Sequence, residues 1–193
     1  GVFMGKNKFI LFDRDGVINI EKSYLYKIED FEYESGVIEG LEKLKKLGYR
    51  FLIITNQAGI ARGYYTEEDY LKLEKFITED LKNKGIKIEK TYYCPHHPEG
   101  KENYGIECDC RKPNTGNFLK AIEEFQIDVK KSFMVGDRIT DLIPAEKLGF
   151  KTVLVKTGYG MKNISKLADK GLKSLVVGSI SEFGDFLKEN GAM

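Results

Sequence analysis

A chain of 193 residues, 41% hydrophobic and 32% charged, is the size of one globular domain with one sizeable core. Its 31 Lys and Arg balance 30 Asp and Glu, a formal net charge of +1, so it lacks the basic footprint of a nucleic-acid or membrane-surface binder. No stretch is apolar for long enough to cross a bilayer, and Gly1-Val2-Phe3-Met4 does not form a secretory signal. The expectation is a cytoplasmic monomer with a small-molecule partner, one domain over residues 5–191, and Met4 as the natural start.

Phe9-Ile10-Leu11-Phe12 predicts a short buried strand ending at Asp13. Val37, Leu41, Leu44 and Leu47 recur at helical spacing, and Gly48 stops that helix. Phe51–Ile54 predicts a second strand ending at Thr55. Thr66 with Asp69 is an N-cap signature for a helix carrying Leu73, Phe76, Ile77 and Leu81. Ile88–Tyr93 predicts a third strand, and Cys94 to Asn114 is a long irregular stretch that calls for a function or a staple. Phe118, Leu119, Ile122 and Phe125 mark a helix, Ser132–Val135 a strand, Leu142–Leu148 a short helix and Thr152–Val155 a strand. Leu175–Val177 predicts a last strand, and Ser179 caps a helix with Ile180, Phe183, Phe186 and Leu187 on one face. Alternation of strand and helix predicts an α/β fold: a Rossmann-like, mainly parallel sheet with helices on both faces. Ligands of such sheets sit beyond the carboxyl ends of the strands, where Asp13, Thr55 and Asp137 all fall.

Asp13-Arg14-Asp15-Gly16 can be a plain turn after a strand. It also places two carboxylates where one attacks phosphorus while the other protonates the leaving oxygen and later activates water. Both carboxylates and a phosphate ester are anionic at neutral pH, which requires a cation. Mg²⁺ favours hard oxygen ligands, available here from Asp13, Asp137 and the backbone carbonyl of Asp15. Thr55-Asn56-Gln57-Ala58-Gly59, either a polar loop or a phosphate cradle, offers a hydroxyl and backbone N–H groups. Arg111-Lys112 is either a solvated basic pair or a charge stabiliser for the transferring phosphoryl group. Asp141, about one turn after Asp137, either supports the site by hydrogen-bonding Lys112 or a metal-bound water, or is an acid favoured by a helix start. Arg138 is placed to reach the non-reacting part of a substrate.

All three cysteines, Cys94, Cys108 and Cys110, fall in the irregular stretch beside His96 and His97. Three thiolates and one imidazole form a closed set for a structural tetrahedral zinc within a loop over residues 94–110. Either histidine completes it. Metal binding would fold the loop and aim Arg111 and Lys112, which follow directly.

The order Asp13-x-Asp15, Thr55, Lys112 and Gly136-Asp137-x-x-x-Asp141 resembles the four motifs of the haloacid dehalogenase superfamily. The resemblance implies Asp13 as nucleophile, Asp15 as general acid/base, Thr55 as phosphate ligand, Lys112 as charge stabiliser and Asp137 as a Mg²⁺ ligand. Cys94-Pro95-His96-His97-Pro98-Glu99-Gly100, Cys108-Asp109-Cys110-Arg111-Lys112-Pro113 and Thr55-Asn56-Gln57-Ala58-Gly59-Ile60-Ala61-Arg62-Gly63 narrow it to the branch of heptose-bisphosphate and histidinol-phosphate phosphatases. That branch implies no large cap, His96 as the zinc-binding histidine, and sugar contacts from Glu21, Lys22, Ser23 and Tyr24, beside Asn56, Gln57, Ala58, Arg111 and Arg138. The chain departs from the pattern at Lys22-Ser23-Tyr24-Leu25, where relatives carry His-Gly-Tyr-Val, at Ala58 in place of Ser, and at Arg138 in place of Lys. The implied reaction is removal of the 7-phosphate of D-glycero-D-manno-heptose 1,7-bisphosphate, for cell-surface polysaccharide, through an aspartyl-phosphate. Histidinol phosphate is the alternative substrate, and a catalytically silent metal-stabilised binding module the reading of a different class.

Overall fold

The apolar run Phe9–Phe12 is strand β1, buried at every position. In the computed structural model, which describes residues 5–191, it lies inside a six-stranded sheet; the expected start at Met4 lies outside the described residues. The remaining strands are β2 (Arg50–Asn56), β3 (Ile88–Cys94), β4 (Phe133–Gly136), β5 (Lys151–Val155) and β6 (Leu175–Val177). Their order is β3-β2-β1-β4-β5-β6, and every pairing is parallel. The chain winds outward from β1 to β3, then returns to place β4 on the other side of β1. The crevice between the ends of β1 and β4 is therefore the topological switch point, where doubly wound sheets bind ligands.

Both sheet faces are covered, as a purely parallel sheet requires. Ile10 and Phe12 point into one core with α1 (Val37–Lys46), α3 (Glu67–Asn83) and α7 (Ile180–Asn190), through Leu41, Leu44, Leu73, Ile77, Phe183 and Leu187. Phe9 and Leu11 point into the other, with α4 (Gly116–Phe125), α5 (Ile139–Leu148) and α6 (Gly160–Asp169), through Phe118, Ile122, Leu142 and Leu167. The period-two alternation of side chains along a strand lets one apolar run serve both layers. Thr66 caps α3 in the expected reciprocal manner with Asp69.

The boundaries differ where polar groups set them. β2 runs through Thr55 to Asn56, because its ladder with β3 continues to the Asn56–Cys94 pair. Ser132 precedes β4; its hydroxyl accepts from Phe9 N and donates to the Asp128 carbonyl. α5 begins at Ile139, ahead of Leu142, because Asp141 Oδ2 accepts from the N–H groups of Asp137 and Arg138. Two helices have no counterpart in the sequence reading, the single turn α2 (Ala58–Ala61) and α6. α6 carries Ile164 and Leu167 at helical spacing toward the core, and it buries Asn163, whose side chain accepts from Ile139 N and donates to the Tyr159 carbonyl. No helix among the described residues is long and apolar enough to cross a membrane.

Candidate active site

β1 and β4 deliver Asp13 and Asp137 to the switch point, and β2 delivers Thr55 and Asn56 beside them. Gly16 and Gly158 make room for Asp137: a Cβ on either would lie 2.2 or 2.3 Å from Asp137 Oδ2, and both have positive φ, +87° and +54°. Asp137 Oδ2 accepts from Tyr159 N at 2.9 Å.

Lys112 crosses over from the cysteine loop and is 3% exposed. Its ammonium lies 2.8 Å from Asp13 Oδ1, 2.7 Å from Asp141 Oδ1 and 2.8 Å from the Ile54 carbonyl. Burial works against its charge, but Asp13 and Asp141 outweigh that and hold its pKa above the ordinary lysine range. Asn56 fixes the backbone of Lys112 from both sides: Asn56 Oδ1 accepts from Lys112 N at 2.9 Å and Asn56 Nδ2 donates to Lys112 O at 3.1 Å. Asp141 thus combines the two readings open for it, as it both holds Lys112 and caps α5.

Asp15 is surrounded by donors. Arg14 lies 3.1 Å away, Asn19 Nδ2 donates at 3.0 Å and Gln57 Nε2 at 3.1 Å. Burial raises the Asp15 pKa, yet Arg14 and these hydrogen bonds prevail and hold it below the usual carboxylate value. Arg14 is itself 1% exposed, with its guanidinium over the Tyr70 ring. Gln57 is oriented by Tyr65, whose hydroxyl donates to Gln57 Oε1 and turns Nε2 toward Asp15 and Thr55.

Asp13, Asp15, Asn56, Gln57, Ala58, Arg111, Lys112, Arg138 and Asp141 share a cavity of about 480 Å³, which also takes in Glu21, Ser23, Tyr24, Arg62, Tyr65, His97 and Tyr159. Three expected residues are not on its wall. Thr55 and Asp137 are buried, the Thr55 hydroxyl accepting from Gln57 Nε2. Lys22 points elsewhere: its ammonium donates to the Asp30 carbonyl and to Glu32 Oε1, and of the expected Glu21–Tyr24 set Glu21, Ser23 and Tyr24 line the cavity. The turn that brings Ser23 and Tyr24 to the cavity has left-handed backbone at both, φ 52° and 63°. Glycine adopts this conformation freely, whereas Ser23 and Tyr24 adopt it at a cost.

The carboxylates of Asp13, Asp137 and Asp141 lie within 4.8 Å of one another. Burial, then the neighbouring carboxylates, push the Asp13 pKa up to about 6 and that of Asp137 up to about 9. Asp137 Oδ1 is buried with no hydrogen-bond partner among the described residues. Crowded hard oxygens with an orphaned acceptor fit a Mg²⁺ ion. Both Asp141 oxygens are engaged, by Lys112 and by the start of α5, so Asp141 supports the group from behind.

The cysteine loop gathers a second donor set. Cys94, His96, Cys108 and Cys110 bring their ligand atoms within 4.8 Å of one another. His96 contributes Nδ1, 3.4 Å from Cys110 Sγ and 3.8 Å from Cys94 Sγ. This set fits a closed tetrahedral zinc. His97 stands outside it, with Nδ1 accepting from Glu99 N.

Asn19, Tyr65, Tyr159 and Arg62 escaped the sequence reading as site residues, and His97 entered it only as an alternative zinc ligand. Arg62 and His97 lie inside quoted motifs, while Tyr65 and Tyr159 have no local signature.

A family model described as HAD-hydrolase-like matches residues 109–182. The D-glycero-beta-D-manno-heptose-1,7-bisphosphate 7-phosphatase of Pasteurella multocida is 43% identical over 182 residues, covering 86% of this chain and 99% of the relative. The D-glycero-alpha-D-manno-heptose-1,7-bisphosphate 7-phosphatase of Photorhabdus laumondii is 49% identical over 156 residues, 80% of this chain and 85% of the relative. The crystal structure of a D,D-heptose 1,7-bisphosphate phosphatase from B. bronchiseptica, complexed with magnesium and phosphate, superposes with a TM-score of 0.83 at 27% identity, covering 95% of this chain and 99% of that one. Similar over most of its length to these enzymes, and carrying their type of fold, the chain belongs to the heptose-1,7-bisphosphate 7-phosphatase family of haloacid dehalogenase-like hydrolases.

Proposed function

We propose that this chain removes the 7-phosphate of D-glycero-D-manno-heptose 1,7-bisphosphate, with Asp13 as the nucleophile. The observation that carries the reading is the buried Asp13–Lys112–Asp141 array opening onto the same cavity as Asp15. The Asp13 carboxylate attacks phosphorus and the C7 oxygen leaves, giving an aspartyl-phosphate. Asp15, ionised in the free protein, passes to the leaving oxygen a proton taken up with the substrate phosphate, then takes a proton from the water that releases inorganic phosphate. Lys112 holds Asp13 in place and offsets charge on the phosphoryl oxygens. Gln57 and Asn19 keep the Asp15 carboxylate oriented. Thr55 and the start of α2 receive the phosphoryl group, while Glu21, Ser23, Tyr24, Arg111 and Arg138 face the sugar and its remaining phosphate.

Asp13, Asp137 and the Asp15 backbone carbonyl would hold Mg²⁺, which supplies the charge neutralisation that lets two anions meet. Cys94, His96, Cys108 and Cys110 would hold a structural zinc that shapes the loop ahead of Arg111 and Lys112. Residues 5–191 act as one domain, a cytoplasmic monomer whose partner is the small sugar phosphate; the balanced charge speaks against a nucleic-acid or membrane partner.

Phosphate release from a panel holding the heptose bisphosphate, histidinol phosphate and simple esters tests the substrate. The bisphosphate should lead by kcat/KM, the measure of specificity. Equal rates on generic esters would defeat the assignment, and a lead for histidinol phosphate would transfer it. Asp13→Asn should abolish turnover while leaving the fold intact, which also separates an enzyme from a silent binding module.

A further inference from the structure

Arg62 and His97 meet on the wall of the cavity that holds Asp13, with Arg62 Nη2 3.3 Å from His97 Nε2. The roles of the two ring nitrogens follow from the backbone. Glu99 N lies 3.0 Å from His97 Nδ1, and a backbone N–H can only donate. Nδ1 is therefore the acceptor, and the ring proton sits on Nε2. A guanidinium has no acceptor either. Two donors thus converge with no acceptor between them, an arrangement that an anionic oxygen seated on both would complete.

Among the described residues no acceptor lies within hydrogen-bond reach of both donors. Glu99 Oε2 is 3.9 Å from Arg62 Nη2, and its side chain is 78% exposed. Arg62 Nε and Arg111 Nη1 are buried without hydrogen-bond partners among the described residues. Arg111 and Arg138 line the same cavity, so cationic groups accumulate there beyond the need of one reacting phosphate. The pair is also held in place. His97 N donates to the Tyr104 carbonyl, Gly100 N donates to the His97 carbonyl, and Lys101 N donates to the Ala61 carbonyl, joining the cysteine loop to the end of α2 beside Arg62.

The geometry points to Arg62 and His97 as a second anion subsite, one that receives the non-reacting phosphate of a sugar bisphosphate. The inference rests on the bisphosphate reading above and adds two specificity residues to it. His97 is then neither a spare metal ligand nor an incidental surface histidine. It carries a donor that the folded cysteine loop presents to the substrate.

The test compares heptose 1,7-bisphosphate with heptose 7-phosphate, which has only the reacting group. Arg62→Met removes one donor. His97→Asn keeps an acceptor near Nδ1 for Glu99 N and loses the distal donor, whereas His97→Gln keeps a donor near Nε2. Arg62→Met and His97→Asn should each lower the ratio of kcat/KM values, bisphosphate over 7-phosphate, by about tenfold, through KM with kcat little changed. His97→Gln should recover most of the wild-type ratio. Equal losses on both substrates, or an unchanged ratio in Arg62→Met and His97→Asn, would overturn the subsite and leave the bisphosphate reading standing. A wild-type protein that does not distinguish the two substrates would overturn that reading, and the subsite with it.

Discussion

Lys112 Nζ lies 2.8 Å from Asp13 Oδ1, although 99 positions separate them in the chain. The ammonium is buried between Asp13 and Asp141, so its removal leaves two carboxylates without their shared cation. Breaking a buried ion pair on one side costs about 3–5 kcal/mol. Lys112→Met should therefore lower the unfolding free energy by that order and cut kcat by about a hundredfold or more. Denaturant titration and steady-state kinetics on one preparation read both effects, and a variant of wild-type stability would contradict the buried array.

Asn56 acts on Lys112 without touching its ammonium. Asn56→Ala removes both hydrogen bonds to the Lys112 backbone. The expected cost is about 1–2 kcal/mol of stability and about tenfold in kcat through misplacement of the ammonium. KM should move much less than kcat. A change confined to KM would make Asn56 a substrate contact and not a positioning residue.

Cys108 is one of four donors in the soft metal set. Cys108→Ser should reduce zinc content measured on the purified protein and open residues 94–110 to protease. Activity should fall by about tenfold or more, because Lys112 is carried by the end of that loop. Full activity with an ordered loop in verified zinc-free protein would refute a structural zinc.

Asp80 accepts from the Tyr33 hydroxyl at 2.6 Å and from Lys84 at 2.8 Å. The Lys84 and Tyr33 hydrogen bonds hold its pKa below the ordinary 3.8. A depressed carboxylate stabilises the fold fully above its unfolded pKa, and the contribution is lost as pH falls through the folded value. Wild type should exceed Asp80→Asn in Tm near neutral pH, and the gap should close below about pH 4. The groups are partly exposed, so the gap should correspond to less than about 1 kcal/mol. A gap that persists at low pH would remove the charge as its cause.

Much of this protein can be read locally. Asp13 and Asp137 each follow a short apolar run, and parallel strands bring their carboxyl ends to one edge, so strand content alone places them together. Cys94, His96, Cys108 and Cys110 are close in sequence and their donor chemistry is particular, so the soft metal set is visible before any fold. The tertiary structure decided which partners each group meets. Lys112 reaches Asp13 from a loop that follows the third strand, Asn56 clamps the Lys112 backbone while lining the cavity, and Lys22 turns to Asp30 and Glu32. Directional hydrogen bonds explain the difference: apolar burial repeats with the backbone period, whereas the partner of a polar atom is chosen by orientation across long sequence separations. The facing donors of Arg62 and His97, 35 positions apart, exist only once the cysteine loop lies against α2.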